Sequence, residues 1–272
     1  MYVVALTRWG PSGSPGQPAL EGEVGALAPV LGRGAYELRL ALASPPPVVL
    51  FQSEDLESAK RALATLRGRG HGAVACDVGS VTSSSSMAVP KGFRFDSDAF
   101  VGEVPGVGEV CVEYVQVAAL LPALHTTIAE SSSEHTEKKF SLSRAALSGG
   151  VILTKKQTVR EHETTQERER VLYVMHSSGA GHVLLRESRL SYSGLGDRLG
   201  PSSTENFTTV LTLLRQHAPR APFDERLMRH RRSAGSLSIG GTASARTITA
   251  SNDGEIDLAA HLLTVALLSG QA

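Results

Sequence analysis

The apolar residues of the first eighty positions follow two periods, one typical of strands and one typical of helices. Short apolar runs predict buried strands at residues 2–7, 48–51 and 73–78. Apolar residues three or four positions apart predict two helices, with stripes at Leu20, Val24, Leu27 and Leu31 and at Leu56, Ala59, Leu63 and Leu66. We expect Pro29 to kink or shorten the first of them, because proline lacks the N–H that a helix needs.

Residues 36–42 alternate apolar and polar side chains, which predicts a further strand, although a helix is the alternative. With this strand the order becomes β-α-β-β-α-β, which is that of the ferredoxin-like fold with two helices on one face of an antiparallel sheet. We therefore predict an α+β protein whose residues 1–80 form a ferredoxin-like domain.

The pattern beyond residue 90 is mainly that of strands. Apolar runs predict strands at 110–117, 151–159, 170–176 and 182–186, and 118–121 could form a short helix after the first. An amphipathic helix is predicted over 204–216, with Ser202 and Glu205 at capping-box spacing. Strands followed by one covering helix resemble a pleckstrin-homology-like (PH-like) barrel in order alone. We predict such a strand-rich, PH-like domain for residues 91–222.

Two segments fall outside these domains. The serine-rich tract within residues 81–90 lacks apolar periodicity, which predicts a linker; a long surface loop is the alternative. Residues 223–272 are predicted to form a basic and Gly/Ser-rich tail that ends in a short apolar helix at 257–268. Because a short helix is marginal alone in water, we expect it to dock on its own chain, with another copy or another protein as the alternative.

Composition and charge narrow the function classes. The 272 residues are 41% hydrophobic and 20% charged, as in globular proteins. The 27 basic and 27 acidic residues cancel, which disfavours a nucleic-acid partner. The longest apolar stretch is shorter than the about 20 residues that span a bilayer, and the N-terminus lacks a signal-peptide pattern. Cys76 and Cys111 lie in apolar runs, which predicts buried free thiols and a reducing, cytoplasmic location.

A glycine-rich loop is the first candidate site. Gly10, Gly13 and Gly16 lie between a predicted strand and a predicted helix, where loops that bind phosphate also lie. Three prolines interrupt this loop at positions 11, 15 and 18, and each removes a backbone N–H that a phosphate would need. A plain surface loop is therefore the alternative.

Two further groups carry candidate chemistry. His125, His135 and Glu137 could bind a metal ion or act in acid–base catalysis, although they lack the HExxH spacing and also fit a charged surface strand. A basic patch near residue 230 could bind phosphate on a nucleic acid or an acidic lipid surface. Its small number of charges and its lack of aromatic residues also fit a solvated segment. The patch consists of Arg226, Arg229, Arg231 and Arg232.

The chain has no GxSxG, SxxK or phosphate-loop motif. This favours a non-catalytic binding, regulatory or scaffold protein with a protein partner or self-association and without a cofactor. A small-ligand sensor acting through the N-terminal domain is one alternative. An enzyme whose site is assembled from dispersed His and Glu residues is another.

Overall fold

The computed structural model describes residues 1–10, 17–140, 154–230, 236–242 and 245–272, and it places the side chains of 1–10, 20–129, 164–230 and 249–272. The chain mixes helices with antiparallel sheets, which confirms the α+β class. It divides into two compact units. The first unit comprises Met1–His125, Glu169–Ser233 and Asp253–Ala272, and the second comprises Thr126–Arg168 and Ala234–Asn252.

The first unit begins with a three-stranded antiparallel sheet in the order β2-β1-β3. Its strands are β1 (Tyr2–Arg8), β2 (Val48–Ser53) and β3 (Gly72–Asp77). One sheet face carries an apolar cluster with three helices, α1 (Gln17–Leu31), α2 (Ala35–Leu42) and α3 (Leu56–Gly68). The strands predicted at 2–7, 48–51 and 73–78 and both predicted helices are confirmed, and α1 continues past Pro29 to the buried Leu31.

The strand predicted at residues 36–42 is wrong, because this segment is α2. Leu38 and Leu42 are buried, whereas Leu40 between them is 56% exposed. A separation of four residues places Leu38 and Leu42 on one helical face, and the intervening Leu40 only imitates strand alternation. The order is therefore β-α-α-β-α-β, which differs from the predicted ferredoxin-like order.

Two further sheets complete the first unit. One has the order β4-β5-β6, formed by Gly92–Phe95, Ala99–Val104 and Gly108–Glu113. The other is formed by β9 (Val183–Arg186) together with the parts of β7 (Val117–Phe140) and β8 (Thr154–His176) that belong to this unit. Helix α4 (Ser203–His217) begins at the predicted cap, where the Ser202 hydroxyl oxygen accepts from the Glu205 N–H at 3.2 Å.

The helix considered for residues 118–121 is part of strand β7, because its side chains are divided between two apolar clusters. Leu120 packs in the cluster that includes α4 residues, whereas Ala119 and Leu121 pack in a different cluster. Alternate side chains of a strand point to opposite faces. A strand buried on both faces reads as a continuous apolar run, which cannot be told from a helix by periodicity alone.

The C-terminal helix α5 (Asp253–Leu268) docks on its own chain, as expected. Ile256, Ala260 and Leu263 pack against the side chains of β7 and β8. Leu262 and Ala266 pack with the face of the N-terminal sheet opposite to α1–α3. Apolar partners on two sides explain why α5 is apolar around most of its circumference. This helix is thus core rather than the end of a tail.

The predicted linker lies inside the first unit. Ser84 is buried, and its N–H and hydroxyl both donate to Asp257 Oδ2, at 2.8 and 3.0 Å. The Ala88 carbonyl accepts from the Leu184 N–H at 2.9 Å. Hydrogen bonds hold the serine-rich part of the tract, and the buried Met87 after it packs in the apolar cluster of β7 and β8.

The second unit contains residues 126–140 of β7 and residues 154–168 of β8, together with strands β10 (Ser236–Thr242) and β11 (Ala245–Ser251). Strand β11 pairs antiparallel with both β10 and β7. Within this unit the Asn252 Oδ1 accepts from the Thr126 N–H at 2.7 Å. Two strands therefore occupy part of the segment predicted to be a Gly/Ser-rich tail.

Candidate functional site

A pocket of about 390 Å³ lies where the connection between α2 and β2 meets the first turns of α5. We call it the Arg33 pocket. The apolar part of its lining includes Pro45, Pro47, Val48, Val49, Leu258 and Leu262. Its polar lining consists of Arg33, Ser44, Gln52, His230 and Glu255. An apolar wall with a few polar groups is the usual composition of a small-molecule site.

Arg33 is positioned by the tight connection between α1 and α2. Gly32 has a φ of 61° there, in the left-handed region that favours glycine at the end of a helix. The Arg33 N–H donates to the Ala28 carbonyl at 3.2 Å, and its Nη1 donates to the Val49 carbonyl at 3.3 Å. These bonds fix the guanidinium against the pocket wall.

His230 and Glu255 supply the other ionisable groups of the pocket. Glu255 lies in the first turn of α5, where the helix dipole favours a carboxylate. Burial lowers the pKa of His230, and the nearby negative charge of Glu255 only partly opposes this effect. The imidazole is therefore mostly neutral at pH 7, with one donor and one acceptor nitrogen.

The hydroxyl group that lines the pocket is directed at the backbone. The hydroxyl of Ser44 donates to the Leu40 carbonyl at 3.4 Å, so its proton is directed at the backbone rather than at a base. A nucleophile needs a general base within hydrogen-bond reach. What the lining offers instead is an apolar surface, a guanidinium, a carboxylate and a neutral imidazole.

A second polar group is a buried chain of hydrogen bonds in the first unit. The Tyr173 hydroxyl donates to Asp257 Oδ1 at 2.7 Å and lies 2.8 Å from His125 Nε2. Because this hydroxyl has one proton, the His125 Nε2–H is the donor in the second bond. His125 Nδ1 lies 3.3 Å from Asp253 Oδ1 without a hydrogen bond between these two atoms, and Ser84 donates to Asp257. We call these five residues the buried polar network.

Burial and nearby carboxylates shift the pKa values of two groups in this network. Burial lowers the pKa of His125, although the Asp253 carboxylate opposes it. Burial and the adjacent Asp257 carboxylate both raise the pKa of Tyr173. The phenol therefore remains protonated and keeps donating to Asp257. The two bonds of the Tyr173 hydroxyl are satisfied inside the core, and bonds of this kind favour a single arrangement of the elements that carry them.

The structure describes only part of the predicted glycine loop. Gly10 is buried, and its N–H donates to His71 Nδ1 at 3.0 Å, so this donor is already used inside the protein. Gly13 and Gly16 lie outside the described residues. The loop as a ligand site thus gains no support from Gly10.

The predicted metal or acid–base set is not brought together within the described side chains. The Nε2 of His125 bonds to the Tyr173 hydroxyl, and its Nδ1 lies 3.3 Å from Asp253 Oδ1. His135 and Glu137 belong to β7, but their side chains lie outside those described. Among the described residues, no three His, Cys, Asp or Glu side chains form a group that could hold a metal ion.

The predicted basic patch contains an arginine that is already neutralised. Arg226 pairs with Asp224 at 2.6 Å and also donates to the Thr7 carbonyl, so its role is structural. Arg229 is exposed, while Arg231 and Arg232 lie outside the described part of the chain.

Sequence reasoning missed the residues of the Arg33 pocket. Arg33, His230 and Glu255 are far apart in the chain, and no motif connects them. Tyr173 is fully buried, and its hydroxyl joins the buried side chains of His125 and Asp257. The one available signal was that a buried tyrosine usually needs a hydrogen-bond partner.

Comparison of the chain with protein-family models, with curated proteins and with solved structures gives no match. Within the described part of the chain, every helix is too short or too polar to cross a membrane.

Proposed function

We propose that this chain is a non-catalytic binding protein that holds a small molecule in the Arg33 pocket. The observation that supports the proposal is the meeting of an apolar wall with Arg33, His230 and Glu255 in one pocket of about 390 Å³. A volume of this size is within the range of small-molecule sites. The proposal joins the expected binding role to the alternative of a ligand sensor.

The apolar wall can be tested with the uncharged dye N-phenyl-1-naphthylamine, whose fluorescence rises in apolar sites. We expect the dye to bind the full chain and Ser44→Phe to weaken this binding, because Ser44 lines the pocket and a phenyl ring there would fill it. Ala43→Phe is the matched control, since Ala43 is exposed and adjacent but does not line the pocket.

Two results would overturn the proposal. One is the absence of dye binding to the folded chain. The other is equal dye affinity of the two phenylalanine variants, which would locate the bound dye elsewhere. Circular dichroism and the melting temperature establish that both variants are folded before their affinities are compared.

The finer fold and the cellular setting are also proposals. We propose a PH-like arrangement for residues 91–222, because one apolar cluster joins side chains of β4–β6, of β7–β9 and of α4. An experimental structure that separates α4 from these strands would contradict it. A cytoplasmic location and a protein partner or self-association are retained as proposals from the sequence.

A further inference from the structure

The Arg33 pocket contains two formal charges of opposite sign. Arg33 and Glu255 carry them, and the remaining lining is apolar or polar and uncharged apart from His230, whose imidazole is mostly neutral at pH 7. An apolar ligand with a single charge would be attracted by only one of these residues. A ligand that carries both charges can satisfy both residues.

Arg33 is suited to a carboxylate. Its Nη1 bond to the Val49 carbonyl uses one of the five N–H donors of a guanidinium. Among the described side chains, no carboxylate oxygen lies within 4.0 Å of a guanidinium nitrogen of Arg33, which is the limit for an ion pair. A guanidinium fixed in orientation can bind a carboxylate through two parallel hydrogen bonds.

Glu255 is suited to an ammonium group. It interacts with other groups of the chain, but a carboxylate has about four acceptor positions, so it can accept a ligand N–H as well. Its position in the first turn of α5 fixes its backbone. Val48, Val49 and Leu262 provide apolar surface in the same pocket.

We infer that the ligand is a zwitterionic amino acid with an apolar side chain, its carboxylate on Arg33 and its ammonium on Glu255. This inference rests on the proposed function, because it names the ligand class of the same pocket. The apolar side chain would lie against the valine and leucine wall. His230 would remain close enough to line the site without adding a charge.

The test uses L-phenylalanine as the probe, in competition with bound N-phenyl-1-naphthylamine at pH 7. N-acetyl-L-phenylalanine lacks the ammonium, and L-phenylalaninamide lacks the carboxylate. We expect L-phenylalanine to displace the dye and each analogue to be weaker by about tenfold or more, the ratio that one charge-assisted hydrogen bond supports.

Variants assign each charge to its residue. Arg33→Gln should remove the preference for L-phenylalanine over its amide, and Glu255→Gln should remove the preference over the N-acetyl derivative. Both should retain dye binding, which shows that the pocket is intact. Arg61→Gln, at an exposed arginine outside the pocket, should retain both preferences.

The inference and the proposed function fail in different ways. If the dye binds in the pocket but L-phenylalanine and its two analogues displace it equally or not at all, the zwitterion is wrong and the binding role stands. If the preferences survive in Arg33→Gln and Glu255→Gln, these residues do not recognise the charges. If the dye does not bind, the proposed function is itself wrong.

Discussion

The Tyr173 hydroxyl donates a hydrogen bond of 2.7 Å to Asp257 although the two residues are 84 positions apart. Tyr173 lies on β8, and Asp257 lies in the first turns of α5. The same carboxylate also accepts two bonds from Ser84, in the tract predicted to be a linker. One buried side chain therefore ties a strand, a helix and an irregular segment together.

Removing the Tyr173 hydroxyl tests the value of this bond. We expect Tyr173→Phe to lower the free energy of unfolding by about 1–3 kcal/mol, because Asp257 and His125 would each lose a partner in the core. Tyr192→Phe is the control: its hydroxyl donates to the Glu187 carbonyl at 2.8 Å in a half-buried site, so its loss should cost only about 0.5–1.5 kcal/mol. Urea unfolding measures both, and a smaller cost at Tyr173 than at Tyr192 would contradict the importance of the network.

The apolar contacts of α5 give a second prediction. Leu263 is fully buried against β7 and β8, and Leu263→Ala should cost about 2–5 kcal/mol through lost transfer energy and a cavity. Leu268 is 62% exposed at the end of the same helix, so Leu268→Ala should change stability by less than about 0.5 kcal/mol. Similar values for the two variants in urea unfolding would mean that α5 does not dock as described.

Local signals in the sequence were sufficient where one face of an element is buried. The apolar stripe of α4 and its Ser202 cap predict a helix that the structure confirms. Local signals were insufficient in α2, where three leucines at alternate positions imitate the pattern of a strand. They were also insufficient at residues 118–121, where both faces of the strand are buried. The periodicity of apolar residues shows which faces of an element are buried. Tertiary packing determines which faces these are.

The candidate site could not be predicted for a related reason. Arg33 follows α1, His230 follows a short turn, and Glu255 begins α5. Only the packing of α5 on the N-terminal sheet brings them to one pocket. No residue spacing encodes such a contact, whereas the His and Arg residues of the predicted metal set and basic patch are close together in the sequence.

Acid should destabilise the first unit before its carboxylates titrate. Burial lowers the pKa of His182, His230 and His261 from 6.5. Below about pH 6.5 the unfolded chain takes up protons that the folded chain still excludes, so the free energy of unfolding falls as the pH falls. Each such histidine contributes at most about 1.4 kcal/mol per pH unit.

His182→Asn isolates one of these contributions. The Asn Oδ1 can accept the bond that the His176 N–H donates to His182 Nδ1 at 3.0 Å, but it cannot take up a proton in this range. We expect the loss of stability between pH 7.5 and 5.5, measured by urea unfolding, to be smaller in this variant than in the unchanged chain. An identical or steeper loss would show that His182 is not among the groups responsible.

The two cysteines should differ in reactivity, contrary to the expectation that both are buried. Cys111 is exposed on β6, where alternate side chains face outward, whereas Cys76 is half-buried and burial raises the pKa of its thiol to about 11. The thiolate is the reactive form of a cysteine, and at pH 8 a thiol with this pKa is only about 0.1% ionised.

A thiol-reactive disulfide reagent should therefore label Cys111 quickly and Cys76 only slowly until the protein unfolds. Cys111→Ser should abolish the fast phase, and Cys76→Ser should preserve it. A fast phase that survives in Cys111→Ser would mean that Cys76 is more accessible than its position on β3 indicates.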